Sequence, residues 1–374
     1  MKKKITAMLL TAVLLFSMCG CFPTLENNAS TANIDDLDTI TIEQLGDVQK
    51  HISEQPFENF TVDADVLIEV RNNFNTYTAT SYQYDLEAMK NYFLKDKEIV
   101  NSSDEDHYKF LSATDGSFVS LTKLPSGLRM ANYRTKEYSS REIEYLFTDS
   151  SGVRWDKHIK FATKELDFMS ISEAVELADN AVKALGVEAG DFMVYSIDIA
   201  AINELSKEAK ERNGDWYEML NYTKNDEFYL IVPQILLPNG STLGEADFIL
   251  ADEFLTEIYS SLIYVTVGKN GILNVQSSGV YSVTQEQAGA DKIVSFDYAY
   301  KKIKEEYNVA LRTNITVHKI VLTYVPFKVS GQEGVFELKP AWIFYMTDGT
   351  LSLCERIVDA TTGNVVFSVN AFLD

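Results

Sequence analysis

Ser170-Ile171-Ser172-Glu173-Ala174-Val175 opens a helix in a way that can be read residue by residue. Ser170 is the N-cap, and Glu173, three positions on, completes a reciprocal capping box. Ile171, Ala174, Val175, Ala178, Val182 and Leu185 recur at helical spacing on one face, and Gly186 can end the helix. Ser295-Phe296-Asp297-Tyr298-Ala299 repeats the logic further along, with Phe296, Ala299, Tyr300, Ile303 and Tyr307 as its apolar face. A strand-like run follows each helix, Phe192 to Ile199 and Ile315 to Phe327. A second run contains a proline, Phe228 to Ile235 around Pro233 and Phe336 to Met346 around Pro340. A hairpin then closes each set. Ile263 to Val267 turns at Lys269-Asn270-Gly271 into Ile272 to Val275, where Asn-Gly is a strong turn signal. Arg356 to Ala360 turns at Thr361-Thr362-Gly363 into Val365 to Ser368. The shared order of helix, strand, strand and hairpin reads either as a duplication or as two ordinary units that agree by chance.

Pro340-Ala341-Trp342-Ile343-Phe344, followed by Ile357-Val358-Asp359-Ala360-Thr361-Thr362-Gly363-Asn364-Val365-Val366, resembles the closing strands of PepSY-type units. The same pattern occurs in the YycH/YycI group of extracytoplasmic regulators, and the resemblance covers residues 293–374. The whole chain is also similar to uncharacterised lipoproteins of clostridial Gram-positive bacteria, a family of unknown function. The resemblance implies an extracytoplasmic setting and supplies no activity. The YycH/YycI group is held by a transmembrane helix and acts on a sensor kinase, whereas this chain carries a lipidation signal. The turn also has a purely structural reading. Asp359 and Thr361 can hydrogen-bond the turn backbone, and Gly363 supplies a positive φ.

Upstream, residues 46–165 read as a β-rich domain. Phe60 to Val66 alternates apolar and polar residues, the period of a half-buried strand. Thr76 to Tyr84 is rich in Thr and Tyr, and Leu86 to Phe93 has helical spacing. Tyr108 to Ala113 and Phe118 to Lys123 flank Asp115-Gly116, a hairpin signal, and Leu128 to Tyr133 and Glu144 to Phe147 continue the sheet. The expected fold is therefore α+β, a β-rich N-terminal domain (46–165) followed by two PepSY-like helix-plus-antiparallel-sheet units (166–290 and 291–374).

The N-terminus supplies an address. Lys2, Lys3 and Lys4 precede the apolar run Ile5 to Phe16, which is too short for a spanning helix of roughly 20 residues and suits a signal peptide. Met18-Cys19-Gly20-Cys21 resembles the bacterial lipobox and departs from it at Cys19. The expectation is cleavage after residue 20 and a lipid on Cys21. Cys19 is the rival anchor, and an ordinary secretory signal or an uncleaved apolar tail is the other reading. Residues 21–45 then form the acylated cysteine and a polar, acidic tether, in which Ile40-Thr41-Ile42 is the one hint of order. Its 24 residues after Cys21 reach about 80 Å extended and about 25–30 Å as a flexible coil.

Composition narrows the function classes. The chain of 374 residues has a formal net charge of −22, and losing the three lysines of residues 1–20 makes it −25. So acidic a surface argues against nucleic acid and against lying on anionic lipid. With Cys21 acylated and Cys19 discarded, Cys354 is a single thiol without an internal disulfide partner. It sits in an alternating apolar segment and reads as buried and inert.

His51, His107, His158 and His318 are scattered, and none pairs at helical spacing. Asp104-Glu105-Asp106-His107 reads as a solvated charge run, although such a run can hold a cation. Asp35-Asp36-Leu37-Asp38 lacks the central Gly and closing Glu of a calcium loop. Ser151-Gly152 and Ser278-Gly279 read as turns, and Trp155 and Trp216 as packing or loop anchors before sugar platforms. No catalytic residue, metal site or cofactor is expected, and the ligand-binding residues are left open. The reading is a non-enzymatic, lipid-anchored binding or regulatory protein at the outer face of the cytoplasmic membrane. Its partners would be the membrane, through the lipid on Cys21, and an envelope or membrane protein. The alternatives are a cell-envelope hydrolase and an assembly or structural factor.

Overall fold

A computed structural model of the chain describes residues 34, 37–124, 127–141, 143, 146, 148–149, 152–153, 163–213, 220–244, 262–308, 314–347 and 353–367. All of them belong to one compact unit, Asn33–Asp374. Cys21, Trp155, His158 and Trp216 lie outside the described residues, as does the expected strand at Glu144 to Phe147 apart from Leu146.

Two eight-stranded sheets carry the architecture. The first is built from β5 (Ile99–Asp104), β6 (Tyr108–Ala113), β7 (Phe118–Lys123), β8 (Arg129–Arg134), β11 (Phe192–Ile197), β12 (Phe228–Pro233), β13 (Leu262–Gly268) and β14 (Gly271–Ser278). Its order is β11-β12-β13-β14-β8-β7-β6-β5, and every pairing is antiparallel. The second holds β2 (His51–Phe57), β3 (Phe60–Ile68), β4 (Thr76–Ser81), β15 (Tyr281–Gln287), β17 (Ile315–Lys328), β18 (Val335–Thr347), β19 (Leu353–Asp359) and β20 (Val365–Phe367). Its path is β15-β4-β18-β17-β3-β2, with β19 pairing β18 and β20 pairing β19. Two short pairs complete the set, β1 (Thr39–Thr41) on β16 (Lys292–Val294) and β9 (Thr148–Asp149) on β10 (Gly152–Val153).

This corrects the expected fold. The chain forms a β-rich fold in which no pair of helix-plus-sheet PepSY-like units stands out. The cause lies in the pairing. β8 from the first half of the chain lies beside β14, and β3 lies beside β17 in the one parallel pairing of the large sheets. Helix, strand and hairpin do occur in the expected order at residues 296–367, but their sheet is completed by strands from residues 51–81. The stretch read as a tether to residue 45 also joins the folded body before it ends, since Thr39–Thr41 pairs with β16 and Leu45 is buried.

Five helices cover the sheets among the described residues: α1 (Leu86–Phe93), α2 (Lys136–Ser140), α3 (Ile171–Ala184), α4 (Ile199–Asn213) and α5 (Phe296–Tyr307). The capping box of α3 forms as expected. Ser170 Oγ accepts from Glu173 N at 3.2 Å, and Glu173 Oε2 accepts from Ser170 N at 2.9 Å. α3 and α1 pack on one face of the first sheet, where Phe93 stacks on Tyr133 with ring centroids 4.5 Å apart. α2 and α4 pack on the other face. α5 buries Phe296, Ala299, Tyr300, Ile303 and Tyr307 against the second sheet, and Tyr307 stacks on Phe60 at 4.8 Å.

β17 and β18 form a hairpin about 45 Å long at roughly 3.4 Å per residue, and its proline is placed where it does least harm. β18 pairs with β4 over residues 335–338 and with β19 over residues 341–347 on the same edge. Pro340 falls in the gap between the two partners. Its carbonyl faces that gap and accepts from Ala360 N at 3.0 Å. The N–H and C=O of a strand residue point the same way, so the missing donor leaves no ladder bond unmade.

The Asp115-Gly116 hairpin forms with Gly116 at φ +81°. Asp115 Oδ1 accepts from Ser117 N at 2.9 Å, and Lys97 Nζ sits 2.8 Å from Oδ2. Partial burial pushes the carboxyl up, but the Lys97 and Ser117 contacts outweigh it and bring it from 3.8 down to about 2. A depressed acid contributes stability above its unfolded value and loses it as pH falls through the folded one. Asp115→Asn is therefore expected to be less stable than wild type above about pH 4, with the gap closing toward pH 2. Urea midpoints of both proteins at intervals between these limits measure it, and a gap independent of pH would contradict it.

Candidate functional site

The two sheets meet along a seam beside the β7–β8 turn. Gly127 has φ +84° and Gly334 φ +68°, and a side chain at Gly127 would sit 2.7 Å from the Gly334 backbone. Ser81, the last residue of β4, receives Arg129 N on its Oγ at 2.8 Å, and its own N donates to Gly334 O at 3.3 Å. Lys123 Nζ crosses the seam to Glu333 Oε1 at 2.9 Å.

A cleft of about 370 Å³ opens here, lined by Tyr84, Asp85 and Leu86 at the start of α1, Asp106 and His107 in the β5–β6 turn, and Lys109, Leu121, Thr122, Lys123 and Arg129. The register explains why cations gather. Lys109 lies opposite Leu121, and Lys123 lies opposite Arg129. Leu121 and Lys123 are two apart on β7, so all four share the face on which α1 packs. The helix covers the inner part of that face with Met89 and Phe93, and the cations remain beyond its N-terminus.

The local pairing leaves one cation over. Lys109 Nζ is 2.5 Å from Asp104, and Lys123 is held by Glu333. The Lys123 contact keeps the Glu333 carboxyl below the usual carboxylate range. Asp85 accepts from Glu87 N at 2.9 Å and Ala88 N at 3.2 Å, which caps α1 and occupies its first amides. Arg129 has no carboxylate within ion-pair distance among the described residues. Burial pushes the Tyr84 phenol up, so it stays neutral, and its hydroxyl meets Ser277 Oγ at 2.7 Å.

The residues singled out by sequence fall elsewhere, except Asp106 and His107. His107 lines the cleft, 3.7 Å from Glu105. His51 sits exposed between Asp63 (3.2 Å) and Asp65 (2.9 Å), and the Asp65 hydrogen bond raises its pKa. His318 contacts Thr347 Oγ1 at the β17 bulge. No group of three or more His, Cys, Asp or Glu able to hold a metal occurs among the described residues. Cys354 lies in β19, and its side chain is outside what is described. Trp342 is fully buried. Asp38 accepts from Ser295 Oγ at 2.6 Å.

The Asp359 turn takes its structural role. Asp359 Oδ1 accepts from Thr361 N at 2.8 Å, Gly363 has φ +75°, and Lys339 Nζ reaches Asp359 Oδ2 at 3.1 Å. Burial lowers the Lys339 pKa, but Asp359 and Glu337 outweigh it and raise it, so this ammonium stays charged. Sequence reasoning passed over Lys109, Lys123 and Arg129, because no motif joins them. The available signal was strand alternation across three neighbouring strands.

No family model matches the chain, and no curated protein matches it. A crystal structure of an uncharacterised protein from Eubacterium rectale ATCC 33656 is similar in fold, with a TM-score of 0.59 at 15% identity, covering 89% of this chain and 96% of that one. At that identity the likeness extends to the fold alone.

Proposed function

We propose that the protein is a lipid-anchored extracytoplasmic binding protein with a regulatory, non-enzymatic role, and that the seam cleft is where it holds its ligand. The observation that carries this reading is Arg129. In a chain of net charge −22, an arginine lining a cleft with no carboxylate partner among the described residues is chemistry left open to something outside the chain. The signal-like N-terminus supports the location, since residues 2–21 combine a basic start, a short apolar run and a terminal cysteine. No helix among the described residues is long and apolar enough to cross a membrane.

A photo-crosslinking amino acid at His107, exposed on the lining of the cleft, tests the reading in living cells. Adducts that form at position 107 and disappear with Arg129→Gln are expected. Adducts indifferent to Arg129, or none beyond those at an exposed control such as Tyr92, would overturn it.

A further inference from the structure

We propose that the seam cleft binds a phosphate group carried on a small organic moiety; this rests on the binding reading above and names the ligand class. The first argument is a conflict in the sheet. Lys123 and Arg129 are directly opposite on β7 and β8. Like charges at such a cross-strand position, with Cβ atoms about 5 Å apart, destabilise the pairing. Glu333 relieves only Lys123, through a contact whose carboxylate is 62% exposed. Exposed pairs of this kind are weak and exchangeable. An anion between the two side chains removes the conflict at both positions.

The second argument is geometric. Lys109 lies on β6, diagonal to Lys123 across Leu121, so three cationic residues on three adjacent strands line one opening. A guanidinium fork engages two oxygens of a planar or tetrahedral anion, and an ammonium acts as a point charge. A single carboxylate has two oxygens, enough for Arg129 alone. A phosphate monoester has a third terminal oxygen to offer a lysine and up to two charges to set against three.

The third argument is the rest of the lining. Tyr84, Leu86 and Leu121 are apolar surfaces at the α1 side, and about 370 Å³ exceeds what the phosphate alone fills. Asp106 and His107 stand on the turn opposite, where Asp106 meets hydroxyls more readily than a second anion. The α1 N-terminus contributes little, because Asp85 already occupies its amides.

Calorimetry on the full-length protein in non-ionic detergent tests this with three phosphate probes and one contrast. The probes are inorganic phosphate, glycerol 1-phosphate and a short-chain phosphatidic acid below its micelle concentration. The contrast is triglutamate. Saturable binding of at least one phosphate probe is expected, weakened tenfold or more by Arg129→Gln and by Lys123→Gln, and unchanged by Lys183→Gln on α3. Binding of the first two probes identifies a free phosphate compound, and binding of the third alone identifies a lipid headgroup. Triglutamate binding that depends on Arg129, with no phosphate binding, overturns the phosphate assignment and leaves the binding reading standing. Binding of no probe, or binding unaffected by both cleft variants, overturns the assignment and the cleft together. Circular dichroism of each variant confirms that loss of binding is not loss of fold.

Discussion

Replacing Trp342 with alanine is expected to destabilise the protein by about 3–5 kcal/mol, the usual range for emptying a large aromatic site. Trp342 is fully buried at the centre of β18. Its ring meets Phe296 edge-on with centroids 5.5 Å apart, and its Nε1 donates to Val294 O at 3.1 Å. The side chain thus ties β18, α5 and β16 together, and β16 in turn holds β1. Trp342→Phe keeps most of the ring and loses the hydrogen bond, so a smaller loss of about 1–2 kcal/mol is expected. Urea unfolding followed by far-ultraviolet circular dichroism measures both. Equal losses for the two variants would show that the hydrogen bond, and not packing, dominates.

How much of this was legible from residues alone depends on the distance over which each signal acts. The α3 capping box and the α5 apolar face were both readable, because a helix answers to neighbours three and four positions away. The hairpins around Asp115-Gly116 and Asn270-Gly271 were readable for the same reason. α4 was missed, although Ile199, Ile202, Leu205 and Ala209 mark a face; the strand-like run before it was carried too far, to Ile199. The sheets were not readable. Nothing in Phe60 to Ile68 says that its partner is Ile315 to Leu322, because alternation announces a strand without naming its neighbour. Two adjacent local patterns were therefore taken as two units, when each sheet draws strands from both halves of the chain. The cleft was illegible for the same reason, since Lys109, Lys123 and Arg129 converge only after three strands register.

Cys21→Ala is expected to have the largest effect on location. The wild-type protein should fractionate with membranes, and the variant should appear in the medium or as an uncleaved precursor. Two acyl chains convert marginal attachment into stable anchoring, at about 0.8 kcal/mol for each buried CH₂. The shift should therefore be near complete. Cys19→Ala should leave retention intact. Immunoblots of membrane and medium fractions, with the precursor and mature forms separated by size, decide the matter. A processed Cys21→Ala protein still held at the membrane would refute lipidation at this residue.

The parallel pairing of β3 with β17 also bears on the export proposed above. Phe60 emerges early from any secretion channel, and Ile315, its partner, emerges near the end. The second sheet therefore cannot close while the chain is still threading, and the first half must wait outside with unpaired edges. Such long-range pairing slows folding and exposes aggregation-prone surface. β3 waits with Asp63 and Asp65 among its outward residues and β2 with Glu54, so these two strands carry charge while they wait. The acidity of the chain is then useful before the fold exists, as a safeguard during the interval between arrival and completion.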